Sequence, residues 1–137
     1  MNSVPKLLDR NMPILVVDDY STVRRIVRHC LRQLGFENVT EAEDGMAALE
    51  KLQKESFSLI ISDWNMPNLM GLELLKAVRS SAALKDIPFL MVIAEKQKNP
   101  LLEALPAGRA TFIVKPFTAE LLRQRMEALF PEKEKSS

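Results

Sequence analysis

Cysteine and histidine are almost missing from this chain, and their scarcity removes several classes of protein. One cysteine among 137 residues cannot form a disulfide within the chain. Because Cys30 falls on the apolar side of a predicted helix, we expect a buried thiol that gives no redox function. With only one histidine as well, no Cys or His cluster is available to bind zinc or another soft metal.

The chain also lacks an excess of either charge and any long apolar run. Nineteen basic residues balance eighteen acidic ones, for a net charge of +1, whereas proteins that bind nucleic acid generally need a clear basic excess. No apolar stretch reaches the roughly 20 residues of a membrane span, and the polar start MNSVPKLLDRN lacks the apolar core of a signal peptide. We therefore expect a cytoplasmic protein without nucleic-acid or membrane partners, whose function depends on a local site.

What the chain does contain is an alternation of short β-branched runs and helical patterns. Its length suits one domain, which we place at residues 13–130, between an N-terminal extension over 1–12 and a flexible, charged tail over 131–137. The predicted strands cover residues 13–17, 38–42, 57–62, 88–93 and 111–114. A helix is predicted after the first strand, and further helices are predicted near 45–54, 71–80, 100–107 and 118–130.

The first helix has the clearest pattern, with apolar residues at helical spacing from Val23 to Leu34. Ser21 is predicted to cap its start and Gly35 to end it, and Thr118 is predicted to cap the last helix. The face opposite the apolar stripe is basic, and we expect solvent there. Its arginines are Arg24, Arg25, Arg28 and Arg32.

Strict alternation of strands and helices predicts an α/β fold, a doubly wound five-stranded parallel sheet with five helices on its two faces. Ligands of such sheets bind beyond the carboxyl ends of the strands. Asp18 and Asp19 follow the first predicted strand, and Asp63 ends the third. Ile93 ends the fourth strand and Lys115 the fifth. We expect these strand ends to converge on one site.

Three carboxylates at one sheet edge need a positive partner, because like charges within about 4–6 Å raise one another's pKa. Mg²⁺ suits an all-oxygen ligand set and commonly shares its remaining positions with a phosphate group. Lys115 offers a second, movable positive charge. The pattern therefore predicts a magnesium site formed by Asp18, Asp19 and Asp63.

Four motifs, VVDD, ISDWNMP, MVIAE and VKPF, taken together, resemble the receiver domain of bacterial response regulators, and specifically the CheY-like chemotaxis regulators. The resemblance runs from about residue 13 to residue 130. It implies a flavodoxin-like sheet with strand order 2-1-3-4-5. It also implies phosphorelay signalling in a two-component system, with a histidine kinase of the CheA type as phosphoryl donor.

The same resemblance implies a role for each site residue. Asp63 would accept the phosphoryl group, and Lys115, before a cis bond to Pro116, would pair with that group. Asp19, Asp63 and the backbone carbonyl of Asn65 would bind Mg²⁺ directly, whereas Asp18 would act through the metal's water shell. Asn65 and Glu95 would tune dephosphorylation, which we expect to be fast.

The chain departs from the family pattern at two switch positions. Ile93 stands where the family has a threonine or serine whose hydroxyl binds the phosphoryl oxygen, so the active conformation would be favoured less. Phe112 stands at the aromatic switch position, usually tyrosine, and lacks the hydroxyl. These departures concern signalling output, whereas the residues for phosphorylation are all present.

Three hypotheses therefore stay open. In the first, a monomeric regulator phosphorylated at Asp63 binds a flagellar motor switch protein, a phosphatase or another target. In the second, favoured by Ile93, the protein is a phosphate sink or competitor that takes phosphoryl groups from a shared kinase with weak output. In the third, it is a binding module without chemistry. None of these is an enzyme acting on an external substrate, because the protein would be a stoichiometric phosphoacceptor in the first two and would carry out no chemistry in the third.

Overall fold

A computed structural model describes residues 8–94 and 109–130. Its parallel strands form one sheet of order β2-β1-β3-β4-β5, which confirms the predicted fold class. The strands are Ile14–Val17 (β1), Val39–Ala42 (β2), Leu59–Asp63 (β3), Phe89–Ala94 (β4) and Ala110–Lys115 (β5). The described helices are Ser21–Gln33 (α1), Gly45–Lys54 (α2), Gly71–Arg79 (α3) and Ala119–Ala128 (α4). The helix predicted at 100–107, the fourth in the predicted order, lies outside the described residues, as does Glu95.

Apolar side chains cover both faces of the sheet, as the continuous β-branched runs predict for parallel strands. In β1, Ile14 and Val16 belong to one core cluster and Leu15 and Val17 to the other. The first cluster also contains apolar residues of α1 and α4, and the second those of α2 and α3. Cys30 lies in the first cluster as a buried free thiol, as predicted. No helix among the described residues is long and apolar enough to cross a membrane.

The predicted helix ends were right in two cases and wrong in one. Gly35, with φ of 97°, follows α1 in the left-handed region that glycine adopts without strain. The hydroxyl of Thr118 accepts a hydrogen bond from the Leu121 amide at 3.0 Å and caps α4. Ser21, however, does not cap α1, because the helix already includes it; Tyr20 occupies the N-cap position and makes no side-chain capping bond.

The strand order brings the carboxyl ends of β1 and β3 together at the centre of the sheet. From β1 the chain passes to β2 on one side, and it then returns to form β3 on the other side of β1. Such a reversal of strand order leaves a crevice between the carboxyl ends of the two strands. Asp18 directly follows β1, and Asp63 is the last residue of β3.

Candidate functional site

The turn between β1 and α1 holds the first two acids of the site. The Asp18 amide donates a hydrogen bond to the Ala42 carbonyl of β2 at 3.2 Å, so the backbone of the turn continues the pairing of the sheet. The Tyr20 amide donates to one Asp18 carboxylate oxygen at 2.9 Å. Asp18 is only 3% exposed, and these two bonds fix its carboxylate against the sheet edge.

Asp63 and Lys115 come from two other strands and face each other. Asp63 is 5% exposed and lies beside Val92 of β4 in the sheet register. The next amide, that of Trp64, donates to the Val92 carbonyl at 2.9 Å, so β3 remains paired up to the acid. The Lys115 ammonium lies 3.5 Å from a carboxylate oxygen of Asp63. The peptide bond from Lys115 to Pro116 is cis, as the resemblance implies.

The structure brings the three predicted acids together. One carboxylate oxygen from each of Asp18, Asp19 and Asp63 lies within 4.8 Å of the other two. Burial raises the pKa of Asp18 to about 6, and the nearby charge of Asp63 adds to this effect. Burial also raises the pKa of Asp63, although the Lys115 ammonium opposes this increase. The cluster therefore carries negative charge that a bound cation would stabilise.

The donor set fits a small hard cation such as Mg²⁺. The Asp19 Oδ1 atom is buried and, within the described part of the chain, has no hydrogen-bond partner. Oxygens on opposite sides of a Mg²⁺ ion are about 4 Å apart, close to the spacing of these carboxylates. A metal ion bound there would therefore give this unpartnered oxygen a ligand contact and would offset the cost of the buried charges.

The other predicted site residues occupy neighbouring positions. Asn65 is exposed in the turn that follows Asp63. Ile93 is fully buried on β4, one residue beyond the sheet partner of Asp63, where it packs in the second core cluster. Phe112 is partly buried on β5 and packs against the same cluster. Thus three acids and Lys115 form the centre of the site, and Ile93 lies next to it.

One residue with a role in the local structure was missed by sequence reasoning. Arg24 was expected to be solvated, yet its side chain is only 16% exposed. It donates from Nη1 to the Asp18 carbonyl at 2.6 Å and from Nε to Glu41 at 2.7 Å. A signal for this arrangement is present in the sequence, because α1 contains four arginines and no acid, while Glu41 lies in the neighbouring strand β2.

Removing the charge of Asp18 is expected to stabilise the metal-free protein at neutral pH. The folded-state pKa, about 6, lies above the ordinary value of 3.8, so the fold binds this proton more tightly than the unfolded chain does. The stabilising effect of the proton is complete below about pH 4 and is lost as the pH rises towards 6. Asp18→Asn, which stays neutral, should therefore raise the free energy of unfolding by about 2–3 kcal/mol at neutral pH.

Urea unfolding of the metal-free protein at neutral pH and at about pH 4 tests this expectation. The gain from Asp18→Asn should largely vanish at about pH 4, where wild-type Asp18 is itself largely protonated in the folded protein. The exposed Asp86 provides a matched control, since Asp86→Asn removes a charge outside the cluster. Equal stability of Asp18→Asn and wild type at neutral pH would contradict a costly buried carboxylate.

Together, the fold and the site define a flavodoxin-like α/β domain with an acidic cation site and a lysine at the carboxyl edge of its sheet. The chain belongs to the response regulator receiver domain family, whose model matches residues 14–127. The resemblance found in the sequence motifs is thereby confirmed, including its CheY-like character.

Similar proteins include several chemotaxis regulators. Chemotaxis protein CheY-3 of Vibrio cholerae is 48% identical over 124 residues, which cover 90% of this chain and 95% of that protein. Chemotaxis protein CheY of Pseudomonas aeruginosa is 48% identical over 119 residues, which cover 87% of this chain and 96% of that protein. Among solved structures, CheY4 of Vibrio cholerae superimposes with a TM-score of 0.76 at 37% identity, over 88% of this chain and 99% of that one.

Proposed function

We propose that this protein is a response regulator of chemotaxis-like signalling, and that its receiver domain accepts a phosphoryl group on Asp63 with Mg²⁺ bound beside it. The observation that carries the proposal is the cluster itself. One carboxylate oxygen from each of three acids lies within 4.8 Å of the other two, and the Lys115 ammonium lies 3.5 Å from a carboxylate oxygen of Asp63. Membership in the receiver family and the names of the two chemotaxis relatives support this function.

The proposed chemistry is nucleophilic attack by a carboxylate. An Asp63 oxygen attacks phosphorus, the bond from phosphorus to the donor atom breaks, and the donor leaves with that electron pair, so that Asp63 becomes an acyl phosphate. When bound, Mg²⁺ would neutralise negative charge on the transferred oxygens. Asp19 and Asp63, with the carbonyl of Asn65, would hold the metal, and Asp18 would act through its waters. Lys115, already beside Asp63, would pair with the phosphoryl group.

The partners are implied by the family and by the chemotaxis relatives, and they remain part of the proposal. A histidine kinase of the CheA type would supply the phosphoryl group. A flagellar motor switch protein would receive the signal, and a phosphatase could remove the group. The protein would be consumed and restored once per cycle as a phosphoacceptor, so it is not an enzyme with an external substrate.

Incubation with acetyl phosphate, with and without Mg²⁺, tests the proposed function directly. Intact mass spectrometry should show the addition of one phosphoryl group only when Mg²⁺ is present. Hydroxylamine should remove the added mass, because it cleaves acyl phosphates and leaves phosphate esters intact. If the mass does not increase under any of these conditions, the protein is a binding module without this chemistry.

A second candidate function, a phosphate sink or competitor with weak output, is supported by Ile93. This side chain is 0% exposed on β4, directly after the sheet partner of Asp63, and it has no hydrogen-bond donor. A hydrogen bond to a charged group contributes about 1.5–3 kcal/mol, so its loss would weaken the preference for an active conformation by about 10- to 100-fold. The two candidates share the phosphorylation chemistry and differ in how far modification changes the surface.

Ile93→Thr is expected to increase the conformational response to phosphorylation, and Ile93→Val is the matched control. Valine has nearly the shape of threonine but no hydroxyl, so both variants remove the same bulk from the core. Hydrogen exchange with and without the phosphoryl mimic beryllofluoride measures the response. A large change in the wild type, no greater in the threonine variant, would contradict the sink and favour a conventional regulator.

A further inference from the structure

We propose that Arg24 is a positioning residue for the metal site and that Glu41 and Arg28 hold its guanidinium in place. This inference rests on the proposed function, because it concerns the same Mg²⁺ site. Arg24 would not bind the metal or the phosphoryl group. It would act through the backbone of the turn that carries Asp18 and Asp19.

The contacts of Arg24 connect that turn to the neighbouring strand. Its Nη1 atom donates to the Asp18 carbonyl at 2.6 Å, and its Nε atom donates to Glu41 Oε1 at 2.7 Å. The other oxygen of Glu41 accepts a bond from Arg28 Nη1 at 2.7 Å. Both arginines belong to α1 and Glu41 belongs to β2, so the cluster joins the helix, the strand and the turn.

The group formed by Arg24, Arg28 and Glu41 restrains the carbonyl of Asp18, whereas the other contacts of Asp18 hold its amide and its carboxylate. The Asp18 amide is held by the Ala42 carbonyl, and one Asp18 carboxylate oxygen is held by the Tyr20 amide. The Asp18 carbonyl is bound by Arg24. Asp19, the next residue, carries the buried oxygen that lacks a partner in the described part of the chain. Fixing the carbonyl fixes the peptide plane that leads into Asp19, and so restrains the backbone from which the Asp19 side chain extends.

The charge of Arg24 argues against a purely electrostatic role. A guanidinium next to a cation site repels the cation, so Arg24 would weaken metal binding if its charge alone mattered. Glu41 lies against that guanidinium, and the hydrogen bonds from Arg28 and Arg24 lower the pKa of Glu41, so it stays ionised and offsets the charge. Arg24 thus keeps its hydrogen bonds to Asp18 and Glu41, while the charge of Glu41 limits the repulsion between the guanidinium and a bound cation.

If Arg24 positions the turn, its loss should lower the affinity for Mg²⁺, whereas if only its charge acts, its loss should raise that affinity. A Mg²⁺ titration distinguishes the two roles. The folded protein is titrated with MgCl₂, and binding is followed by the fluorescence of Trp64, which adjoins Asp63, with calorimetry as a second measurement. Arg24→Gln should lower the affinity by about 10- to 100-fold, as is usual when a group that orients metal ligands is lost. If only charge mattered, the same substitution would raise the affinity.

Two further variants make the test specific. Arg24→Lys keeps the charge but cannot reproduce the forked geometry of the guanidinium, so it should also bind Mg²⁺ about 10-fold more weakly. Arg25→Gln removes the same charge from an exposed neighbour on α1 and should change the affinity by less than about two-fold. Arg28→Gln removes only the hydrogen bond from Arg28 to Glu41. Its loss of Mg²⁺ affinity should therefore be smaller than that of the Arg24 variants and larger than that of Arg25→Gln.

Thermal melting without Mg²⁺ shows that each variant is folded before the titration. The inference is overturned if both Arg24 variants bind Mg²⁺ as tightly as Arg25→Gln does. A wild-type protein that binds no Mg²⁺ by calorimetry would overturn the proposed function itself, and the inference with it. The wild-type titration therefore distinguishes failure of the magnesium site from failure of the role of Arg24.

Discussion

Asp63→Asn is expected to abolish phosphoryl transfer from acetyl phosphate while the fold stays intact. Asparagine keeps the size of the side chain but has no carboxylate oxygen to attack phosphorus. The variant should not unfold, because burial raises the pKa of Asp63 and a neutral amide avoids the cost of that buried charge. Loss of labelling in intact mass spectra would therefore report on chemistry and not on stability.

The matched control is Asp86→Asn, which changes an exposed acid that precedes β4 and lies outside the carboxylate cluster. It should accept the phosphoryl group as the wild type does. Circular dichroism and urea unfolding should show that both variants are folded. Labelling that persists in Asp63→Asn would mean that another residue accepts the group, and the assignment of the acceptor would be wrong.

Much of the fold could be predicted because its signals are local and repeated. Within the predicted strand 57–62, residues 59–61 are apolar at successive positions, which suits a strand buried on both faces. Gly35 marks the end of α1 by its left-handed backbone. Parallel strands place all their carboxyl ends at one edge. The convergence of Asp18 and Asp63 therefore followed from the order of elements, without any distance being known.

The finer geometry could not be predicted, because it depends on contacts between elements distant in the chain. Arg24 and Arg25 look alike in the helical pattern, yet Arg24 is partly buried against Glu41 and Arg25 is exposed. Seventeen positions separate Arg24 from Glu41. The cap of α1 was misplaced for a different reason, which is local. The Tyr20 amide donates to the Asp18 carboxylate, and the helix begins directly after Tyr20, so that it already includes Ser21.

Gly71→Ala is expected to destabilise the fold strongly, because the added methyl group has no room. Gly71 begins α3, and its amide donates to the Trp64 carbonyl at 3.0 Å. A methyl group at this position would overlap the carbonyl oxygen of Asp63 and lie 2.8 Å from the sulfur of Met91. Met91 could move, but the carbonyl belongs to the last residue of β3, which is buried within the sheet. The backbone must therefore shift, at a cost of about 3 kcal/mol or more.

The same backbone shift should also slow phosphorylation, because the carbonyl oxygen that must move belongs to Asp63, the proposed phosphoacceptor. We expect urea to unfold Gly71→Ala at a clearly lower concentration than the wild type, and the folded fraction to accept phosphoryl groups more slowly. Lys76→Ala, on an exposed position of the same helix, should change the free energy of unfolding by less than about 0.5 kcal/mol. If Gly71→Ala unfolded at the same urea concentration as Lys76→Ala, α3 could move away from β3 at little cost. The site would then not depend on the close approach of these two elements.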